Sequence, residues 1–584
     1  MRRPLTFSAI CLSIVCLSTV ARAGGGPMNV LVLYNADDAS AVAVADYYGA
    51  ARSLPSGHLC GITGLDPSTR SIDFVEYWDT VHSALVACLQ ALPNPDEIDY
   101  LVVIRGLPYR INLPNGEFYT SLSAMLQIHE TARSSDGSPL AGEPQEYTSY
   151  YQASITNPEW LGGFCSAGEL QVTNPYSSWY ATACSIVREA DHPPSFRRTM
   201  AGQASGYDFG ENLFIVTRLD GFDYQDALDL VDRAVLGDSS FPTAELLCME
   251  GSDAPRAARD PECEFTARHL SMAGFTGTWL SPFDSALSGH EVAAYFTGTA
   301  GLRDAIAGNT YVPGAIACNL TSTGAAPTNF FCNGDGSVCP ASESQTSIAR
   351  FVRAGATGAH GTVAEPLNNT FPSAGTLLLY TFGYNLGESY FFNQQFLYWQ
   401  NLYLGDPLTT PYADRPEVTF SASGVVPRLS TLTVQATHVD GVASVRLYLE
   451  GVLVADATGG QLDWVVEHDL GAELDLLAVA VADNGVVDRS GWPVETHAPR
   501  PDVQGWQATV LTVVEELPIK DAGVASDADV AADSGSSGDA SPGGPEPKEG
   551  CGCLVGEGPG LPPAAILFSL LIAWVWRRRR RRRR

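Results

Sequence analysis

The sequence predicts an α/β protein: a mostly parallel sheet with helices on both faces, followed by a smaller all-β unit and a disordered tail. Short apolar runs of buried-strand length alternate with helix-like stretches as far as about residue 413. After Pro411 the pattern changes to short segments that alternate with period two. The stretch that follows is acidic, rich in Gly, Ser, Asp and Pro, and too poor in apolar residues to fold.

The strands of the first domain, 24–413, are apolar runs that end in polar or turn residues. Five runs carry the prediction: NVLVLY (29–34), YLVVI (100–104), NLFIVTRL (212–219), EVAAYFTG (291–298) and PGAIACN (313–319). Ligands of such sheets bind outside the carboxyl ends of the strands. Arg105 and Arg218 lie at two of these ends, where they either bind a substrate carboxylate or pair with nearby acids.

The second domain, 415–500, consists of short strands separated by turn residues, which predicts an antiparallel sandwich. Its strands are TLTVQAT (431–437), SVRLYLEGVLV (444–454), LDWVV (462–466) and LDLLAVAVAD (474–483). The segment resembles the immunoglobulin-like modules of bacterial surface proteins, although it has no cysteine pair. This resemblance implies a spacer or an adhesion module.

The N-terminal segment, 1–23, has the pattern of a secretory signal peptide. Arg2 and Arg3 precede an apolar stretch, and small residues stand at Ala21 and Ala23. We therefore expect cleavage after Ala23 and export of the remainder.

The C-terminal part predicts a linker and an anchor. An acidic linker, 501–550, is followed by a tail, 551–584, with a short apolar membrane segment at 561–576 and eight arginines at its end. Cys551, Cys553, the apolar segment and the Arg cluster resemble the MYXO-CTERM sorting tail of myxobacterial surface proteins. The resemblance implies a sortase-like processing protease as a partner, and anchoring at the bacterial cell surface or membrane.

Composition and motifs exclude several functional classes. The formal net charge is −31, so the field of the protein repels nucleic acid, and no nucleic-acid partner is expected. The sequence has no dinucleotide fingerprint, P-loop, nucleophile elbow or zinc-peptidase motif, so we predict no cofactor and no metal. An extracellular partner is not defined by any motif.

The cysteines outside the signal and the tail number nine, an odd count, which leaves at least one without a partner in the chain. Neighbours along the chain suggest four disulfides: Cys60–Cys88, Cys165–Cys184, Cys248–Cys263 and Cys332–Cys339. Cys318 is then left over. It is a nucleophile if His360 can act as its base, a buried inert thiol, or a disulfide partner of Cys332 or Cys339.

Several segments together resemble one family. They are NVLVLYNADDASAVAVADYYGAARSLP, DYLVVIRGLPYRI, NLFIVTRLDG, RAGATGAHGTVAEPLNNTFP and LYLGDPLTTPYA. They look like an uncharacterised, exosortase-associated family of secreted bacterial proteins with no established activity. More distantly, the layout resembles gingipain-type and caspase-like cysteine peptidases, which implies a caspase-like or Rossmann-like sheet. Cys318 matches the position of the catalytic cysteine of those peptidases, whereas Thr297 stands where their histidine is expected.

Three functional hypotheses follow. The first is a secreted, surface-anchored protein without catalysis, and the second is a cysteine peptidase that uses Cys318 with His360. The third is an adhesion protein that acts through the sandwich. The peptidase hypothesis requires the Cys318 sulfur to lie within hydrogen-bond reach of an imidazole and in an open cleft.

Overall fold

The computed structural model describes residues 24–113, 119–127, 214–280, 288–343, 345–391, 393–394, 399–483 and 503–516. The chain divides into two compact units, Met1–Pro518 and Ile519–Arg584, and every described residue belongs to the first. The predicted signal peptide, the sorting tail and its membrane segment lie outside the described residues, as do Cys165 and Cys184.

The first domain is built on one ten-stranded sheet in the order β2-β1-β4-β7-β13-β12-β11-β10-β8-β9, with a small sheet β3-β5-β6 beside it. The strand bounds are β1 Val30–Asn35, β2 Leu59–Ile62, β3 Ser71–Asp73, β4 Tyr100–Ile104, β5 Arg110–Asn112, β6 Tyr119–Ser121, β7 Ile215–Leu219, β8 Glu245–Met249, β9 Gly277–Leu280, β10 Glu291–Thr297, β11 Thr310–Asn319, β12 Gly358–Thr362 and β13 Asn401–Leu404.

Most neighbours in the large sheet are parallel, as the β–α alternation predicts. The exception is β13, which runs antiparallel to β12 and meets β7 through the single pair Leu404 and Arg218. The mixed α/β architecture with a large, mostly parallel sheet is thus confirmed. The antiparallel β13 has no signature in the apolar pattern, because it is only four residues long.

The helices connect the strands and cover the sheet. Their bounds are α1 Ala39–Arg52, α2 Phe74–Glu76, α3 Ser83–Ala91, α4 Leu122–Gln127, α5 Tyr224–Gly237, α6 Asp260–Met272, α7 Arg303–Ala307, α8 Ala349–Ala354, α9 Gly375–Thr381 and α10 Leu386–Phe391. Three of them begin at aspartate caps: Asp38 accepts a hydrogen bond from the Ser40 N–H, Asp73 accepts one from the Glu76 N–H, and Asp223 accepts one from the Asp226 N–H. The continuous apolar runs form fully buried strands, as β4 shows.

Residues after 413 form two further sheets, β14-β16-β19 and β15-β21-β20-β17-β18. Side chains of both sheets share one apolar core, which includes Leu432, Val434, Leu447 and Leu476. The strand bounds are β14 Glu417–Phe420, β15 Gly424–Pro427, β16 Thr431–Thr437, β17 Val442–Leu449, β18 Val452–Thr458, β19 Gln461–Val465, β20 Glu473–Ala482 and β21 Gln504–Val514.

Strand β21 corrects the predicted boundary between the all-β unit and the linker. It lies at Gln504–Val514, inside the range 501–550 that composition assigned to the linker, and it pairs with β20 along nine residues. The folded region therefore extends past residue 500. Among the described residues, no helix has the length and apolar character that crossing a membrane requires.

Candidate functional site

Two side chains that can take part in catalysis, a thiol and an imidazole, lie in one row across the large sheet. Cys318 on β11 pairs with His360 on β12 and with Phe296 on β10. Phe296 pairs in turn with Cys248, and His360 with Tyr403. Because side chains of laterally paired residues point to the same face of a sheet, these groups share one face.

Cys318 and His360, which the sequence analysis paired as nucleophile and base, are in contact. The Cys318 Sγ lies 3.4 Å from the His360 Nδ1. The other ring nitrogen of His360, Nε2, lies 2.9 Å from the Oδ1 of Asn401. An amide oxygen only accepts, so Nε2 carries the proton and Nδ1 turns its lone pair towards the thiol.

Asn401 completes this chain, and the sequence analysis did not identify it. It lies on β13 two residues before Tyr403, the partner of His360, and so faces the same side of the sheet. Its position immediately before the LYLGDP segment is the only signal in the sequence, and that signal does not reveal an antiparallel strand beside His360.

Arg259, which the sequence analysis also did not identify, covers the thiol. Its Nη1 donates to the Cys318 Sγ at 3.0 Å and to the Pro372 carbonyl at 3.2 Å. Its Nη2 donates to the Thr297 carbonyl at 2.8 Å. The guanidinium thus ties the turn before α6 to the ends of β10 and β11 and to the segment after β12.

The site is closed from solvent. Cys318 and His360 are 0% exposed, Asn401 is 2% exposed and Arg259 is 6% exposed. Phe371 packs edge-on against the His360 ring. The sulfur therefore meets the distance requirement of the peptidase hypothesis, but it does not lie in an open cleft.

Electrostatics keep the pair neutral at physiological pH. Burial raises the pKa of the Cys318 thiol, and the Arg259 charge only partly opposes this effect. Burial lowers the pKa of His360 to about 3. The thiolate–imidazolium pair that a cysteine hydrolase uses is therefore disfavoured in this conformation.

Thr297, at the expected histidine position of caspase-like peptidases, is buried at the end of β10. It pairs with Asn319, one residue beyond Cys318, so its side chain points to the opposite face from the thiol. It does not replace the missing histidine, and His360 comes from the other neighbouring strand.

Arg105 and Arg218 form internal ion pairs with a carboxylate of the protein and do not form an open site for a substrate carboxylate. Both donate to Asp220, Arg105 at 2.7 Å and Arg218 at 2.9 Å. Arg218 is 0% exposed and also donates to the carbonyls of Leu107 and Pro108. Of the two alternatives for these arginines, pairing with a nearby acid is the one seen.

Two of the four predicted disulfides are present, Cys60–Cys88 and Cys332–Cys339. The prediction of Cys248–Cys263 is wrong: both thiols are free and buried. Cys248 lies on β8 and Cys263 on α6, where both fill the apolar core as small side chains. Cys318 is also free, so the alternative of a disulfide with Cys332 or Cys339 is wrong too.

The late Asp406 of the GDP segment has a structural role. It is buried, accepts a hydrogen bond from the Tyr48 hydroxyl at 2.7 Å, and forms an ion pair with Arg52 at 2.5 Å. Throughout the described part of the chain, no cluster of three or more His, Cys, Asp or Glu side chains could hold a metal ion.

Comparison with known proteins adds distant likenesses only. No family model matches the sequence, and no curated protein matches it. The chain is similar to the complex of the RgpB pro- and mature domains of Porphyromonas gingivalis, at 10% identity and a TM-score of 0.36, over 83% of this chain and 100% of that one. A structure described as a protease has the same identity and TM-score, over 83% of this chain and 98% of that one.

The fibronectin(III)-like modules of Clostridium thermocellum CbhA match 18% of this chain and 100% of their own, at 17% identity and a TM-score of 0.13. TM-scores this low do not carry an argument about function. The functional argument therefore rests on the residues themselves.

Proposed function

We propose that this chain is an exported, surface-anchored bacterial protein whose α/β domain is a non-catalytic scaffold. The observation that supports this proposal is the closure of the Cys318 site. The thiol is 0% exposed and hydrogen-bonded by Arg259, and burial raises its pKa. A nucleophile must touch its substrate, and a thiol covered by a buried guanidinium does not.

Export and anchoring belong to the same proposal and rest on the sequence. The signal-like segment 1–23 directs export, and the tail 551–584 is the substrate of a sortase-like processing protease. The segment 561–576 holds the chain in the membrane until processing. The acidic composition suits a protein that stays soluble outside the cell.

Thiol labelling of the native full chain tests the scaffold proposal. Under native conditions we expect iodoacetamide to leave Cys318 unmodified, as slow to react as the buried thiols Cys248 and Cys263. After denaturation all three should be labelled, which peptide mass spectrometry reads directly. Selective modification of Cys318 in the native protein would overturn the proposal.

A localisation experiment tests the anchoring. We expect Cys551→Ser together with Cys553→Ser to release the protein from the cell surface, and a matched Cys332→Ser, Cys339→Ser chain to stay attached. Unchanged surface retention of the tail variant would contradict the sorting proposal.

A second candidate function is a cysteine hydrolase of the peptidase type. It is favoured by one observation, the continuous chain from the Cys318 Sγ through His360 to Asn401. The three groups stand in the order nucleophile, base and orienting amide. For this function Arg259 and the segment around Phe371 and Pro372 must move away from the thiol.

The hydrolase candidate is tested with a full chain that carries Arg259→Ala and a fluorescent casein substrate. Hydrolysis that disappears on adding Cys318→Ala or Asn401→Ala would establish it. No hydrolysis by this chain, in a fold that circular dichroism shows to be intact, would reject it.

Adhesion through the all-β unit is the third candidate, and it keeps the proposal that this unit is immunoglobulin-like. It is favoured by large apolar side chains on the surface, Val439 at 83% exposed and Leu429 at 68% exposed. We expect Val439→Asp with Leu429→Asp to weaken attachment of cells to a surface. A matched Val75→Asp chain, altered on the α/β domain, should attach normally.

A further inference from the structure

The described part of the chain begins at Gly24, which is buried in the protein core. The backbone N–H of Gly24 donates to the Oε1 of Glu388 at 3.0 Å, across 364 residues of sequence. Gly24, Gly25 and Gly26 are all buried. The contact thus brings the residue that follows the predicted signal peptide onto a buried carboxylate.

Gly25 and Gly26 lie close against packed side chains. A Cβ on Gly25 would stand 2.4 Å from the Tyr100 ring, and Gly25 has a φ of +37°. A Cβ on Gly26 would stand 2.4 Å from the Gln504 side chain. A side chain at Gly25 would meet the Tyr100 ring and a left-handed backbone, and one at Gly26 would displace the Gln504 amide, so glycine suits the burial of both positions.

Glu388 is a fully buried carboxylate, at 0% exposed, in the first turn of α10. It accepts hydrogen bonds from the Tyr100 hydroxyl at 2.9 Å and from the Asn385 N–H at 3.3 Å. No Arg, Lys or His within the described ranges forms an ion pair with it. Burial raises its pKa to about 7, and the nearby charge of Asp99 acts in the same direction.

We propose that the mature protein begins at Gly24 and that its new α-ammonium group forms a buried ion pair with Glu388. This inference rests on the proposed export. Signal-peptide removal hydrolyses the Ala23–Gly24 peptide bond with one water: Ala23 keeps the carboxylate, and the Gly24 nitrogen leaves as an amine that takes up a proton. The α-ammonium then supplies the positive charge that Glu388 lacks.

Physical chemistry favours this pairing over the uncleaved chain. A peptide N–H offers one donor and no charge, whereas an ammonium offers three donors and a full positive charge. A buried carboxylate is costly unless a cation pairs with it. Removal of the signal peptide therefore gives Glu388 a charged partner, and the folded state of the exported chain becomes more stable than that of its precursor.

The first experiment uses the full chain purified from an exporting host. Intact mass and N-terminal sequencing should show Gly24 as the first residue. Exported protein that begins elsewhere would overturn this inference alone. A chain that keeps its leader inside the cell would instead overturn the proposed export.

The second experiment counts reactive amines. The sequence contains only two lysines, Lys520 and Lys548, so the mature chain has three amines. An N-hydroxysuccinimide ester should label two amines in the native protein and three after denaturation. A Gly24 amine that reacts in the native state as fast as the lysines would overturn the ion pair.

Two variants complete the test. Glu388→Gln should make the Gly24 amine reactive and lower Tm, whereas Glu262→Gln, at another carboxyl whose pKa is raised to about 7, should leave the amine protected. If Glu388→Gln does not fold, one extra alanine before Gly24 moves the amine and keeps every core side chain. An extended chain as stable as the mature one would refute the proposal.

Discussion

The Nδ1 of His360 lies 3.4 Å from the Sγ of Cys318, and the two residues pair across neighbouring parallel strands. The two side chains are of the types that form a nucleophile–base pair, but both are fully buried in the hydrophobic core. Burial acts in opposite directions on the two pKa values, upward for the thiol and downward for the imidazole. Both shifts favour the neutral forms.

Acid should destabilise the protein through His360. The folded pKa, about 3, lies below the ordinary value of 6.5, so the unfolded state binds the proton first as the pH falls. Stability from this group is complete above about pH 6.5 and is lost towards pH 3, by at most about 4 kcal/mol. Urea unfolding between pH 7 and 4 should show a shallower loss in His360→Gln than in the wild type.

The control for this prediction is His290→Gln. His290 is partly exposed, with 28% of its side-chain surface accessible, and lies near Glu245. This variant should keep the acid sensitivity of the wild type. Equal acid sensitivity in His360→Gln and the wild type would contradict the assignment.

Arg259→Met should destabilise the fold by about 3 kcal/mol. The substitution removes a buried guanidinium and takes its hydrogen bonds from the carbonyls of Pro372 and Thr297, of which Thr297 keeps the Leu320 N–H as a donor. The neighbouring Arg256 pairs with the exposed Asp253, so Arg256→Met should cost less than about 1 kcal/mol. Comparable losses of unfolding free energy in the two variants would show that the hydrogen bonds of Arg259 do not stabilise the segments around Cys318.

Cys318→Ala should cost about 1 kcal/mol, because it removes a buried sulfur from a packed core. Cys248→Ala is the matched control, since Cys248 is equally buried in the same row of the sheet. Equilibrium urea unfolding measures both. A stabilising effect of Cys318→Ala alone would indicate that the wild type tolerates strain at this site for a function, and would favour the hydrolase candidate.

The two disulfides should stabilise the fold unequally. Cys60–Cys88 closes a loop with a sequence separation of 28, and Cys332–Cys339 one of 7. Loop-closure entropy then predicts that loss of the first disulfide costs about 1 kcal/mol more than loss of the second. Thermal unfolding of the two double-alanine variants decides between this order and the reverse.

A chain extended before Gly24 should lose stability as the pH rises from about 4.5 to 7. The folded pKa of Glu388, about 7, exceeds its ordinary value of 4.5, so the folded state binds the proton more tightly. The loss amounts to about 3 kcal/mol. The mature chain, with the α-ammonium beside Glu388, should not show it, and identical pH profiles for the two chains would contradict the pairing.

The apolar runs predicted most of the large sheet, since a fully buried strand such as β4 is visible in the sequence as a continuous run of apolar residues. The same reasoning placed Cys318 on a strand and suggested its contact with His360. It missed Arg259 and Asn401, because a short turn and a four-residue antiparallel strand have no period to detect. It also took Cys248 and Cys263 for a disulfide, since spacing along the chain does not show whether two thiols are bonded.

The sequence by itself determined the α/β layout and the strand that carries Cys318. Those features depend on periodicity, which local sequence carries, whereas spacing along the chain suggested Cys60–Cys88 and Cys332–Cys339 but equally suggested Cys248–Cys263, which is not formed. Only the tertiary structure decided that Arg259 closes the thiol site, that Asn401 orients His360, and that Gly24 meets Glu388. Each of these contacts joins segments far apart in the chain, and burial is a property of the packing between them.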